Sequence, residues 1–235
     1  MKKEPSRIRS SPAPKLRLVL PPESENRQNV ARSRRPVAIR PRRRLPPEVL
    51  SDAEVCALMD ACGRYRPLAL RDRALIALLY RTGLRINEAL SLYPKDLELN
   101  DGSVRVLNGK GGKSRTVGLD PGAAVVIERW LDARAQLGLD RCHPLFCSHR
   151  GRSMSDAYVR RLLKHLAVRA GIDKRVHAHG LRHTHAAQLR AEGVDIGIIS
   201  KQLGHASITT TARYLDHLAP RAVIEAMRNR AWTGT

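Results

Sequence analysis

The sequence predicts an α+β domain, mainly α-helical, that carries a small three-stranded antiparallel sheet. Two observations predict it. From Ser51 onward, apolar residues recur at helical spacing between cap and stop signals; between Leu97 and Leu119 that spacing gives way to a period of two, broken by glycine-containing turns. A third observation sets the limits of the domain: nine of the fourteen prolines fall within residues 1–47, where no helical or strand period is sustained. The chain is therefore expected to comprise a basic, proline-rich, disordered arm (1–45), one folded domain (46–219) long enough for a full hydrophobic core, and a short tail helix (220–235).

Ser51 caps a helix reaching about Ala61, with Val55, Leu58 and Met59 inward. Residues 70–81 form a second helix stopped by Gly83, which places Arg85 at a tight turn between helices. The next runs to about Leu92, ahead of Pro94. Strands are expected at 97–99, 104–107 and 115–119, joined by the turns Asn100-Asp101-Gly102 and Asn108-Gly109-Lys110-Gly111-Gly112. Glycine on both sides of Lys110 gives that lysine a flexible support. Asp120-Pro121 opens a helix with the stripe Ala124, Ile127, Leu131 and Ala135, and Val159, Leu162, Leu163 and Leu166 stripe another that ends at Gly171. The intervening residues 144–153 read as a short strand or loop.

Charge points to a polyanionic partner. There are 43 Lys+Arg against 22 Asp+Glu, a formal charge of +21. Residues 1–45 hold fourteen of those basic residues against three glutamates, and Arg34, Arg35, Arg42, Arg43 and Arg44 are the candidates there for tracking phosphates or a groove. No membrane span or secretory signal is expected, since the longest unbroken apolar run is only Ala74 to Tyr80. Cys56, Cys62, Cys142 and Cys147 lack paired CxxC spacing and read as reduced thiols. A cytoplasmic protein, at the nucleoid when bound to DNA, is the expectation.

The segment 179–192 is the most informative helix, because His179, Arg182, Ala186 and Leu189 share one face. An arginine on a core-facing stripe needs a partner: a buried acid such as Glu88 or Asp72, or an anion held through two parallel hydrogen bonds. His177, His179, His183 and His185 include a metal-compatible i, i+4 spacing. No Asp or Glu is interleaved among them, and the metals of phosphoryl transfer prefer oxygen ligands, so no metal or other cofactor is expected. Tyr214 lies well off the inward stripe Ile208, Ala212, Leu215 and Ala219 and is not placed as a core tyrosine.

Thr82-Gly83-Leu84-Arg85 with Glu88, Lys110 in its turn, His179-Gly180-Leu181-Arg182, Leu203-Gly204-His205 and Tyr214 follow one another in order. With this set, over about residues 45–221, the chain resembles the catalytic domain of the tyrosine recombinase (phage-integrase) family. The resemblance implies six active-site positions, Arg85, Lys110, His179, Arg182, His205 and Tyr214, with Tyr214 the nucleophile, Glu88 the acid following the first arginine, and Lys113 the alternative to Lys110. It implies cleavage and rejoining of double-stranded DNA through a 3′-phosphotyrosine, without metal or ATP, in site-specific recombination serving a mobile element, a plasmid or an invertible segment. It also implies a tetramer on two DNA sites, with an accessory or partner recombinase as a further candidate partner. Members of the family usually carry a helical DNA-binding domain ahead of the catalytic one, and the arm here is too short and proline-rich to form it.

Two other readings compete. Residues 195–218, helix, glycine-containing turn and helix, resemble a helix-turn-helix regulator, which leaves Arg85 and Lys110 without a role. A type IB topoisomerase shares the chemistry but relaxes supercoils without pairing two sites.

Overall fold

The computed structural model describes residues 48–107 and 114–205, together with Ser207, Thr209, Thr211, Ala212, Ile224, Met227 and Arg228. All belong to one compact unit, Arg44–Thr235. The elements are α1 (Asp52–Asp60), α2 (Pro67–Thr82), α3 (Ile86–Leu90), a 3-10 turn (Pro94–Asp96), β1 (Leu97–Glu98), β2 (Ser103–Val106), β3 (Arg115–Gly118), α4 (Pro121–Gln136), α5 (Asp156–Arg169), α6 (Ala178–Ala191) and α7 (Ile196–Leu203). A mainly helical domain with one three-stranded antiparallel sheet of order β1-β2-β3 is the fold class expected from the sequence. The arm, the turn 108–113 and Tyr214 lie outside the described residues.

Local signals account for most boundaries. Ser51 and Glu54 form a reciprocal capping box at the start of α1. Helix α2 begins at Pro67, three residues before the predicted start, because proline at the first helical position needs no N–H partner there. It ends at Gly83, whose φ of 64° suits the left-handed stop. Helix α3 is shorter than predicted, closing at Leu90. Asp120 caps α4 through Ala123 N and also accepts from Arg81 Nε at 2.8 Å, so one carboxylate joins the end of α2 to the start of α4.

Helix α2 runs through the centre, packing chiefly on α4 and α6. Its residues Ala74 to Leu79 are all buried, which explains why the longest apolar run in the sequence lies there. The inward face of α4 keeps Ala124 and Ile127 of the predicted stripe, both buried, but departs from it afterwards: Trp130, Ala133 and Arg134 are buried, whereas Leu131 is half-buried and Ala135 exposed. Trp130 turns the helix that way, since its ring has most to gain from burial and its Nε1–H donates to Leu145 O at 2.9 Å. Arg134 follows by donating to the carbonyls of His143 and Pro144. Residues 144–153 form a loop with a single bridge, Cys147 to Ser153.

A second, smaller cluster of Ala186, Ile199 and Leu203 joins α6 to α7. Gln202 fastens the same region to the sheet: its side-chain amide accepts from Gly118 N and donates to Gly118 O, both at 2.9 Å, and to Thr82 O at 3.2 Å. In effect one side chain pairs with the open edge of β3 as a neighbouring strand would. Among the described residues no helix is long and apolar enough to cross a membrane.

Candidate active site

Two glycine turns form the floor of the site. Gly83 ends α2 and Gly204 ends α7, both with positive φ, 64° and 65°. A Cβ at Gly83 would lie 2.7 Å from the His185 ring and 2.8 Å from Leu203; one at Gly204 would lie 2.6 Å from the guanidinium of Arg115. Both positions therefore require glycine for conformation and for space. The turns point Arg85 and His205 into the same region.

Arg182, from the first half of α6, crosses between the turns. It is 2% exposed. Its Nη1 donates to Gly83 O at 2.5 Å and its Nη2 to Leu203 O at 2.7 Å, with His205 Nε2 3.0 Å from Nη2. The two acids proposed as its partners serve other arginines: Asp72 accepts from Arg71, and Glu88 from Arg85 and Arg115. Since a guanidinium only donates, His205 Nε2 accepts here, and Nδ1–H donates to Thr211 Oγ1 at 2.7 Å.

Glu88 is 4% exposed and receives four hydrogen bonds. Oε1 accepts from Arg85 Nη1 at 2.8 Å and Arg115 Nη1 at 3.0 Å; Oε2 accepts from Arg85 N and Arg115 Nη2, both at 2.9 Å. That fills the acceptor capacity of a carboxylate. Burial pushes the carboxyl up, but Arg115 and Arg85 outweigh it and bring the pKa down to about 2. Arg85 Nη2 reaches Gly204 O at 3.3 Å, so adjacent carbonyls of one turn accept from the two arginines.

Burial lowers the pKa of His179, His183, His185 and His205. His205 is lowered to about 4, first by burial and then by Arg182, Arg85, His179 and Arg115; His185 is lowered to about 4, again by burial first. His179 lies at the surface, which differs from the inward placement expected for it. Surrounding protein atoms nevertheless strip part of its hydration, and this, followed by the charges of Arg182, His177 and Arg85, lowers its pKa. Its ring meets that of His183 edge to face, centroids 4.5 Å apart.

The structure thus brings together Arg85, Glu88, Arg182 and His205, with His179 at the edge. Lys110, Lys113 and Tyr214, and the arm residues Arg34, Arg35, Arg42, Arg43 and Arg44, lie outside the described residues. Arg115 and Gln202 were not singled out by the sequence motifs. For Arg115 a signal existed, because strand alternation puts it on the same face as buried Val117.

Fold and site define a mainly helical domain in which arginines and a histidine from separate elements converge on one buried glutamate and two glycine turns. The model of the phage integrase family matches residues 48–221. The chain belongs to the phage integrase family. A tyrosine recombinase XerD from Ralstonia nicotianae is 42% identical over 170 residues, covering 72% of this chain and 55% of the relative. A tyrosine recombinase XerC from Rhodospirillum centenum is 43% identical over 149 residues, covering 63% and 43%. The chain spans about half the length of the curated relatives it matches. Among solved structures, the crystal structure of XerA recombinase aligns with a TM-score of 0.69 at 32% identity over 80% of this chain and 68% of that one. The XerH site-specific recombinase bound to its palindromic difH substrate, a post-cleavage complex, aligns at 0.65 and 30% identity over 79% and 54%.

Proposed function

We propose that the protein cleaves and rejoins double-stranded DNA in site-specific recombination, with Tyr214 as nucleophile. The observation that carries this reading is Arg182, buried to 2% exposure yet held by backbone carbonyls in a pocket shared with Arg85 and His205. Arg85, Arg115 and Arg182 bring three positive charges to a site where Glu88 brings one negative charge, which suits a phosphodiester. A helix-turn-helix regulator would have no use for that pocket.

In the proposed reaction the Tyr214 oxygen attacks phosphorus and the bond to the 5′ oxygen breaks. A phenol ordinarily titrates near ~10, so its proton must leave during attack. His179, whose pKa is lowered by burial and by Arg182 so that its basic form is favoured, is the acceptor. Arg85 and Arg182 stabilise the charge growing on the non-bridging oxygens, with His205 adding a third donor in the neutral tautomer that bears its hydrogen on Nε2, and Lys110, or Lys113 in its place, protonates the departing oxygen. The covalent 3′-phosphotyrosine conserves the bond energy for rejoining, so neither metal nor ATP is needed. Assembly as a tetramer on two DNA sites is supported by the tail, where Ile224 and Met227 are 51% and 55% exposed. A mobile element, plasmid or invertible segment is the proposed setting, and the basic arm is assigned to DNA contact.

A suicide substrate nicked near the scissile position tests the reading. The wild type should become covalently attached, with or without EDTA, whereas Tyr214→Phe should bind DNA with similar affinity and form no adduct. An adduct on the Phe variant, or none on the wild type, would refute the assignment.

A further inference from the structure

Arg115 opens strand β3, five residues beyond Lys110 in the sequence, and its guanidinium reaches Glu88 beside Arg85. It grips both oxygens of Glu88, at 3.0 and 2.9 Å, and its side chain is 15% exposed. Paired this way, Glu88 has one lone pair on each oxygen left, and both go to Arg85: one to its backbone N–H at the first turn of α3, one to its guanidinium. The carboxylate is thus gripped from one side by the sheet and grips the first arginine on the other. Gly204 completes the arrangement, because only a residue without Cβ lets the Arg115 guanidinium lie against that turn.

From this geometry we infer that Arg115 is a positioning residue: through Glu88 it sets the direction of the Arg85 guanidinium and couples the hairpin that bears Lys110 to the phosphate pocket. Without Arg115, Glu88 would be a buried carboxylate with half its donors gone. It would then either take a proton or draw Arg85 fully onto itself, and in both cases Arg85 would no longer meet phosphate at the angle its two bonds require. Lysine cannot substitute, since a single ammonium cannot span both carboxylate oxygens in the plane.

The catalytic part of this inference rests on the proposed DNA cleavage, so the test has two arms. In the first, the Glu88 side-chain carboxyl is followed by NMR against pH in the wild type, Arg115→Lys and Arg115→Met. Its titration should rise by roughly one to two pH units in Arg115→Met and by less in Arg115→Lys. In the second, single-turnover covalent attachment to the suicide substrate should slow by roughly 10- to 100-fold in Arg115→Met, at saturating DNA and with DNA affinity changed by less than that. Near-unchanged circular dichroism in Arg115→Lys ensures that a folded variant is available. An unmoved Glu88 titration, or an Arg115→Met protein that cleaves at the wild-type rate, would overturn the proposal. A wild type that attaches to no DNA would instead overturn the functional reading, and the titration would then decide whether Arg115 positions Glu88.

Discussion

Arg182 donates to the carbonyl of Gly83, a residue 99 positions earlier in the chain, at 2.5 Å. With its second bond to Leu203 O, the arginine is both a ligand for the proposed phosphate and the tie between two turns that belong to different helices. Binding and architecture are therefore not separable at this residue.

For that reason Arg182→Lys should be impaired twice over. An ammonium cannot reach Gly83 and Leu203 together and still face a phosphate oxygen. Covalent attachment to a suicide substrate should fall by roughly 100-fold or more, and the protein should also be less stable in urea. Near-normal attachment would show that the phosphate is held elsewhere.

Gly204→Ala should be costly although it adds one methyl group. The left-handed backbone, φ 65°, charges an L-residue roughly 1–2 kcal/mol, and the new Cβ would stand 2.6 Å from the Arg115 guanidinium. The expected result is lower stability in denaturant together with slower cleavage, because the displaced Arg115 releases Glu88. Unaltered denaturation midpoint and rate would contradict this packing.

Stability should fall as pH drops below neutrality. His185 is buried, and its pKa is about 4 against an ordinary 6.5. Between those values the unfolded chain binds a proton and the folded one does not. Its contribution is thus complete above about 6.5 and lost by about 4, on the order of 3 kcal/mol. His205, also at about 4, adds to the same window, while Glu88 acts lower, between 4.5 and about 2. Urea titrations at pH 7, 6, 5 and 4 should show the decline, and His185→Gln should flatten it in part. A His185→Gln protein with the wild-type slope would sink the assignment.

Gln202→Leu tests the link between α7 and the sheet. Three hydrogen bonds disappear, at Gly118 N, Gly118 O and Thr82 O, and the loss should be roughly 1–3 kcal/mol. The Gly118 amide should exchange faster with deuterium in the variant. Equal protection would mean that the pairing is not kept in solution.

The sequence by itself determined the helical elements, the three strands, the turn glycines and the order of the motif residues, because these rest on local causes. Ser51 and Asp120 cap through their own side chains, Gly83 and Gly204 stop helices through backbone freedom, and the hairpin period shows in alternate residues. The motif order also singles out Arg85, Glu88, Arg182 and His205, which the fold brings together. Which partner each took was decided only by tertiary structure. Arg182 had two acids on offer and took backbone carbonyls, because Asp72 was already held by Arg71 and Glu88 by Arg85 and Arg115. Arg115 and Gln202 act on groups 27 and 84 residues away, and no local pattern carries such a pairing. Trp130 turned the second half of α4 away from its predicted face, past the buried Ala124 and Ile127, for the same reason: a side chain's gain from burial depends on what the rest of the chain brings against it.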